Sequence, residues 1–110
     1  MSLQHVLARS DLWDGEMIGV EVDGLHVVLL GFADRVVAYE DVCPHQRVRL
    51  SEGRFDGRSL VCRAHEWTYD AVSGCGMNPA GARLKPIAVI VRDGEVYLEV
   101  DEGREEQRDG

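Results

Sequence analysis

The chain reads as an all-β protein. Asp-Gly pairs recur at Asp23-Gly24, Asp56-Gly57 and Asp93-Gly94, each between short runs rich in β-branched and aromatic residues, the strongest short-range signal for a β-hairpin. No stretch sustains an apolar period of 3.6 residues, so helices are expected to be few and short.

Taken in order, Leu12 to Met17 can hold one turn at most. Met17 to Val22 pairs with Leu25 to Leu30 across the first Asp-Gly turn, and Val36 to Glu40 follows a turn at Ala33-Asp34. Arg54-Phe55 and Ser59 to Val61 flank the second Asp-Gly, and Ile87 to Val91 and Glu95 to Val100 flank the third. The last strand alternates cleanly, with Val96, Leu98 and Val100 on one face. Residues 1–100 therefore form one domain of antiparallel sheets, interrupted from about 41 to 86 by an insertion poor in long strands. The segment 101–110 is polar and rich in Glu and Arg, and is expected to fray.

The composition is that of an ordinary globular protein: 110 residues, 45% hydrophobic and 29% charged, with a net charge of −8. That charge argues against nucleic acid or an anionic membrane as partner. No apolar run approaches the ~20 residues of a membrane span. The first seventeen residues hold Arg9, Asp11, Asp14 and Glu16 without an apolar block, unlike a secretory signal. A monomer in a reducing cytoplasm is the expectation.

Chemistry concentrates in the insertion. Cys43-Pro44-His45 is followed, after sixteen residues, by Cys62-Arg63-Ala64-His65. The chain has only three cysteines and four histidines, so two such pairs carry weight. Each pair offers one thiolate and one imidazole, the ligand set of a Rieske [2Fe–2S] centre, in which two cysteines hold one iron and two histidines the other. Pro44 stiffens the first loop by fixing its own φ, and a hairpin from Gly53 to Val61 turns the chain back so that the second loop faces the first. Two imidazoles in place of thiolates remove two negative charges. Reduction then becomes easier, and potentials run from roughly −150 to +300 mV against about −400 mV for plant-type ferredoxins. The competing site is Cys2His2 zinc in an interaction module, but zinc fingers group Cys with Cys and His with His. Cofactor and ligands are therefore expected to be one [2Fe–2S] cluster on Cys43, His45, Cys62 and His65.

The segments Cys43-Pro44-His45-Gln46, Leu50-Ser51-Glu52-Gly53, Cys62-Arg63-Ala64-His65-Glu66-Trp67-Thr68-Tyr69 and Gly76-Met77-Asn78-Pro79 resemble the Rieske ferredoxin component of bacterial multicomponent diiron monooxygenases, the toluene, alkene and isoprene systems. The resemblance spans nearly the whole chain, including Leu12 to Met17. It implies a sandwich-like base of antiparallel sheets with a small cluster-binding subdomain at one tip. It also implies histidines that ligate through Nδ1, and single electrons carried from an NADH-dependent flavin/iron–sulfur reductase to a diiron hydroxylase. No substrate bond is made or broken on such a chain. The alternatives are a ferredoxin for an aromatic-ring dioxygenase, against which Trp67-Thr68 argues, and a small nitrite-reductase component.

The resemblance places Gln46, Arg47, Ala64, Trp67, Tyr69 and Pro79 around the cluster. High-potential Rieske proteins carry a Tyr at the position of Tyr69, whose hydroxyl donates to a ligand sulfur; the other reading is a core tyrosine bonded to a carbonyl or water. The serine that accompanies that Tyr is replaced here by Trp67, so the lower part of the Rieske range is expected. Trp67 shields the cluster, offers an aromatic docking surface, or simply packs. Glu66 opposes reduction or serves docking. Arg47 and Ala64 occupy the places of two further cysteines that form a disulfide in high-potential proteins, which leaves Cys75 a spare thiol. Arg47, Arg49, Arg54, Arg58 and Arg63 give the insertion a mixed or basic face, or are scattered solvated side chains. His5 and His26 are ordinary strand or surface residues, and Trp13 is expected in the packing.

Overall fold

Ten strands and two short 3-10 turns make up the computed structural model, which describes residues 2–43, 48–63, 67–78 and 82–100. The first and third Asp-Gly pairs turn as expected. Asp23 and Gly24 have φ of 52° and 81°, and Asp93 and Gly94 have 54° and 78°. Positive φ at both central residues gives the twist that two-residue hairpins need. They join β2 (Met17–Val22) to β3 (Leu25–Gly31), and β9 (Pro86–Arg92) to β10 (Glu95–Val100). The middle pair differs. Between β5 (Arg54–Phe55) and β6 (Ser59–Val61) only Gly57 has positive φ. There the Asp56 carboxylate accepts the N–H groups of Arg58 and Ser59 at 2.9 and 2.7 Å, which holds the carboxyl below its usual pKa.

With β1 (Ser2–Ala8) and β4 (Val36–Glu40), the long strands form a six-stranded antiparallel sheet in the order β1-β10-β9-β4-β3-β2. Its two halves meet at β4 and β9 through two residue pairs, Ala38 with Ile87 and Tyr39 with Pro86. That narrow junction lets the halves fold over one another as the sandwich-like base. Val22, Val27, Leu29, Val36 and Ala38 from one half pack with Val96, Leu98 and Val100 from the other. β3 is buried on both faces. Val27 and Leu29 enter this core, while Val28 and Leu30 face a second core shared with the insertion. A strand buried on both faces must be apolar without alternation, as Val27 to Leu30 are.

The chain leaves the base after Glu40 and returns at Pro86, where the Glu40 N–H meets the Lys85 carbonyl at 2.9 Å. Between them lies a four-stranded antiparallel sheet, β5-β6-β7-β8, with β7 at Thr68–Asp70 and β8 at Gly76–Asn78. Strands β1, β7 and β8 escape the sequence reading. β7 and β8 are three residues each, too short to show a period, and β1 is an edge strand whose pairing with β10 shifts register between His5 and Leu7. His5 and His26 lie on β1 and β3, as expected. Trp13 does not belong to the packing: it is 69% exposed. In the tight loop before β2 only one of two neighbours can point inward. Leu12 takes that place, while the Trp13 indole N–H donates to the Ser10 carbonyl at 2.9 Å.

Candidate functional site

The backbone closes in the same way after each of the two cysteines. The Cys43 N–H donates to the Val48 carbonyl at 2.7 Å, and the Cys62 N–H donates to the Trp67 carbonyl at 2.8 Å. Each cysteine thus opens a segment closed five residues later, and in the sequence His45 and His65 fall within these two segments. A third loop is closed by the Gly76 N–H on the Ala82 carbonyl at 2.7 Å. The Gly53-to-Val61 return expected from the sequence is present as the β5–β6 pairing, and it needs glycine at its start. A Cβ on Gly53 would lie 2.0 Å from the Val61 carbonyl oxygen.

Cys43 and Cys62 are fully buried in one core with Leu50, Leu60, Tyr69, Ala71 and Leu84. Neither forms a disulfide, and neither does Cys75, which is half-buried. Two thiols sealed in an apolar pocket, in twin loops that each carry a histidine, suit a two-iron cluster bound through sulfur on its inner side. His45, His65, Gln46, Arg47, Ala64, Glu66 and Pro79 lie outside the described residues. Among the described residues no three His, Cys, Asp or Glu side chains converge as a metal site.

Tyr69 is fully buried, and its hydroxyl oxygen lies 3.5 Å from Cys43 Sγ. Of the two readings of Tyr69 the contact seen is the one with sulfur, where either atom could donate; opposite a ligating thiolate the donor would be the hydroxyl. Burial first, and then the neighbouring Cys43 and Cys62, push the phenol well above its usual range and keep it a donor. The tyrosine bonded to carbonyls is Tyr39 instead. Its hydroxyl donates to Ala71 and Val72 carbonyls at 2.7 and 2.9 Å, tying the base to the turn after β7. Burial, with Asp70 and Cys75 nearby, pushes its pKa to about 12. Trp67 is half-buried and packs on the cysteine-bearing core.

The surface around the loops is mixed. Arg49, Arg54, Arg58 and Arg63 are exposed; Arg49 Nη2 lies 3.2 Å from His26 Nε2, and Arg63 Nη1 lies 3.3 Å from Glu52 Oε1. Residues 41–86 carry seven Arg and Lys against five Asp and Glu, whereas the rest of the chain carries five against fifteen. Val42 and Met77, beside the first and third loops, expose apolar side chains. Met77, given no role of its own within the Gly76-to-Pro79 segment, is exposed. It sits where the β7–β8 register slips between Thr68 and Tyr69, and such a bulge re-aims a side chain.

The Rieske [2Fe-2S] domain model matches residues 2–96. The chain belongs to the Rieske [2Fe–2S] domain family. One [2Fe–2S] Rieske cluster is accordingly its cofactor, as the two Cys/His pairs call for. Over 95 residues this Rieske chain is 42% identical to the ferredoxin component of the alkene monooxygenase system of Xanthobacter autotrophicus, covering 84% of this chain and 77% of that one. It is 26% identical over 97 residues to the ferredoxin component of the naphthalene 1,2-dioxygenase system of Pseudomonas putida, covering 87% and 93%. Among solved structures, a complex of reduced oxygenase and oxidized ferredoxin in carbazole 1,9a-dioxygenase contains a chain of similar fold. The TM-score is 0.80 at 28% identity, covering 90% of this chain and 97% of that one. No helix among the described residues is long and apolar enough to cross a membrane.

Proposed function

We propose that this Rieske chain is a cytoplasmic ferredoxin that takes single electrons from an NADH-dependent flavin/iron–sulfur reductase. It delivers them to the diiron hydroxylase of a toluene/alkene-type monooxygenase, without a catalytic site of its own. The 42% identity to an alkene monooxygenase ferredoxin component over most of both chains carries this reading. In it Cys43 and Cys62 would hold one iron and His45 and His65 the other. When bound, the cluster supplies a one-electron couple. The protein's own part is to bury the sulfurs, exclude water through Leu50, Leu60 and Leu84, and aim the Tyr69 hydroxyl at Cys43 Sγ.

Docking would use the arginine-bearing loop end, with Val42 and Met77 as apolar contacts and the acidic base turned away. The experiment is reconstituted turnover with reductase and hydroxylase: oxidation of an alkene or toluene that stops when this chain is omitted supports the assignment. A second reading, a ferredoxin of an aromatic-ring dioxygenase, is favoured by the likeness to the naphthalene and carbazole ferredoxins. Turnover with a mononuclear-iron dioxygenase and none with the diiron hydroxylase would select it.

A further inference from the structure

The second ligand loop grows out of a β-hairpin, since Val61 pairs with Thr68 on either side of it. The first has no such support, because β4, which precedes it, pairs with β3 and β9. What closes the base of the first loop is Asp41, the one buried charged side chain among the described residues. Its Oδ1 accepts the Ser51 N–H at 2.8 Å and its Oδ2 accepts the Ser51 hydroxyl at 2.6 Å. Its own N–H donates to the His26 carbonyl on β3 at 2.9 Å. Ser51 belongs to the 3-10 turn Leu50–Glu52, just past the loop. The Asp41–Ser51 pair therefore forms an outer ring around the inner Cys43–Val48 closure, anchored on the central strand of one half of the base.

Gly19 on β2 seats the pair. A Cβ there would lie 2.9 Å from Ser51 Oγ and 3.1 Å from Asp41 Oδ2. A buried carboxylate is retained only where its lone pairs are satisfied, and here both oxygens receive donors from the far side of the loop. Charge-assisted bonds of this kind are short and strongly directional. A misplacement of the loop by a fraction of an ångström would break them.

We propose that Asp41 and Ser51, seated on Gly19, form a positioning clamp that holds the base of the first ligand loop closed on β3 and thereby governs how tightly the cluster is kept and how uniform its environment is. This rests on the assignment of Cys43 and His45 as ligands. The test uses the cluster-loaded protein well below its unfolding temperature. One readout is the rate at which the visible absorbance is lost to a ferrous-iron chelator. The other is the g-values and line widths of the reduced protein in low-temperature EPR. Asp41→Ala is expected to lose the cluster at least about tenfold faster than wild type and to broaden the EPR lines. Ser51→Ala has a smaller effect, and Ser51→Thr, which keeps the hydroxyl, stays close to wild type.

Val96→Ala, in the base core away from the loops, serves as control for general destabilisation. It lowers the unfolding temperature but leaves cluster loss within about twofold and the spectrum unchanged. If Asp41→Ala does not fold, Ser51→Ala against Ser51→Thr carries the comparison. Equal rates of cluster loss and equal spectra in the clamp variants and Val96→Ala would overturn the clamp. A wild-type protein with no Rieske EPR signal would instead overturn the ligand assignment beneath it.

Discussion

Replacing Tyr69 by Phe removes one oxygen from the cysteine-bearing core and leaves the ring in place. In the wild type that hydroxyl lies 3.5 Å from Cys43 Sγ inside a fully buried pocket. A donor to a ligand sulfur stabilises the more negative, reduced cluster more than the oxidised one. Hydrogen bonds to charged groups are worth ~1.5–3 kcal/mol, and both oxidation states keep the bond, so the differential is a fraction of that, about 1 kcal/mol. For a one-electron couple 59 mV corresponds to a factor of ten, or ~1.4 kcal/mol. Tyr69→Phe should therefore lower the midpoint potential by about 40 mV. Voltammetry of wild type and variant under identical conditions measures it. A midpoint unchanged within about 10 mV, with the EPR spectrum retained, would refute the donor role assigned to this hydroxyl.

Three further outcomes are expected. Tyr39 has a pKa raised from 10.0 to about 12, so its contribution to stability is complete below pH 10 and declines as pH rises from about 10 to 12. Scans of unfolding temperature across pH 8 to 11.5 should show a fall that is shallower in Tyr39→Phe. That variant starts lower by roughly 1–2 kcal/mol for the lost bonds to Ala71 and Val72. Gly53→Ala sets a methyl against the Val61 carbonyl, an overpacking that costs roughly 1–3 kcal/mol. At about 4–8 °C per kcal/mol for a chain of this size, the drop is readily seen in a thermal melt, and the cluster should leave faster because Val61 adjoins Cys62. Arg63→Glu reverses a charge beside the second loop, where Arg63 already meets Glu52. Electron-transfer rates to the proposed hydroxylase should fall severalfold at low salt and converge with wild type at high salt; an unchanged rate and salt profile would count against docking at this end.

The hairpins that frame the fold were legible because their signals are local. Asp23-Gly24 and Asp93-Gly94 carry their own positive-φ preference, and the alternation of Val96, Leu98 and Val100 states which face is buried. The double burial of β3 is visible only as an apolar run, which does not say what lies on either side. The short β7 and β8 arise from pairing partners rather than from their own residues, and so left no pattern to read.

By itself, the sequence offered the chemistry: two cysteines and two histidines in Cys/His pairs, unlike the usual zinc-finger grouping, which point to a cluster and an electron-carrying role. Tertiary structure alone decided how those ligands are served. Tyr39 and Tyr69 are both buried tyrosines, yet one bonds carbonyls and the other meets the Cys43 sulfur, a contact between residues far apart in the chain. Trp13 faces outward because Leu12 fills the only inward place, and Asp41 reaches Ser51 because β2 has a glycine at position 19 that lets them sit there. Each of these depends on a distance between residues far apart in the chain, which no local preference encodes.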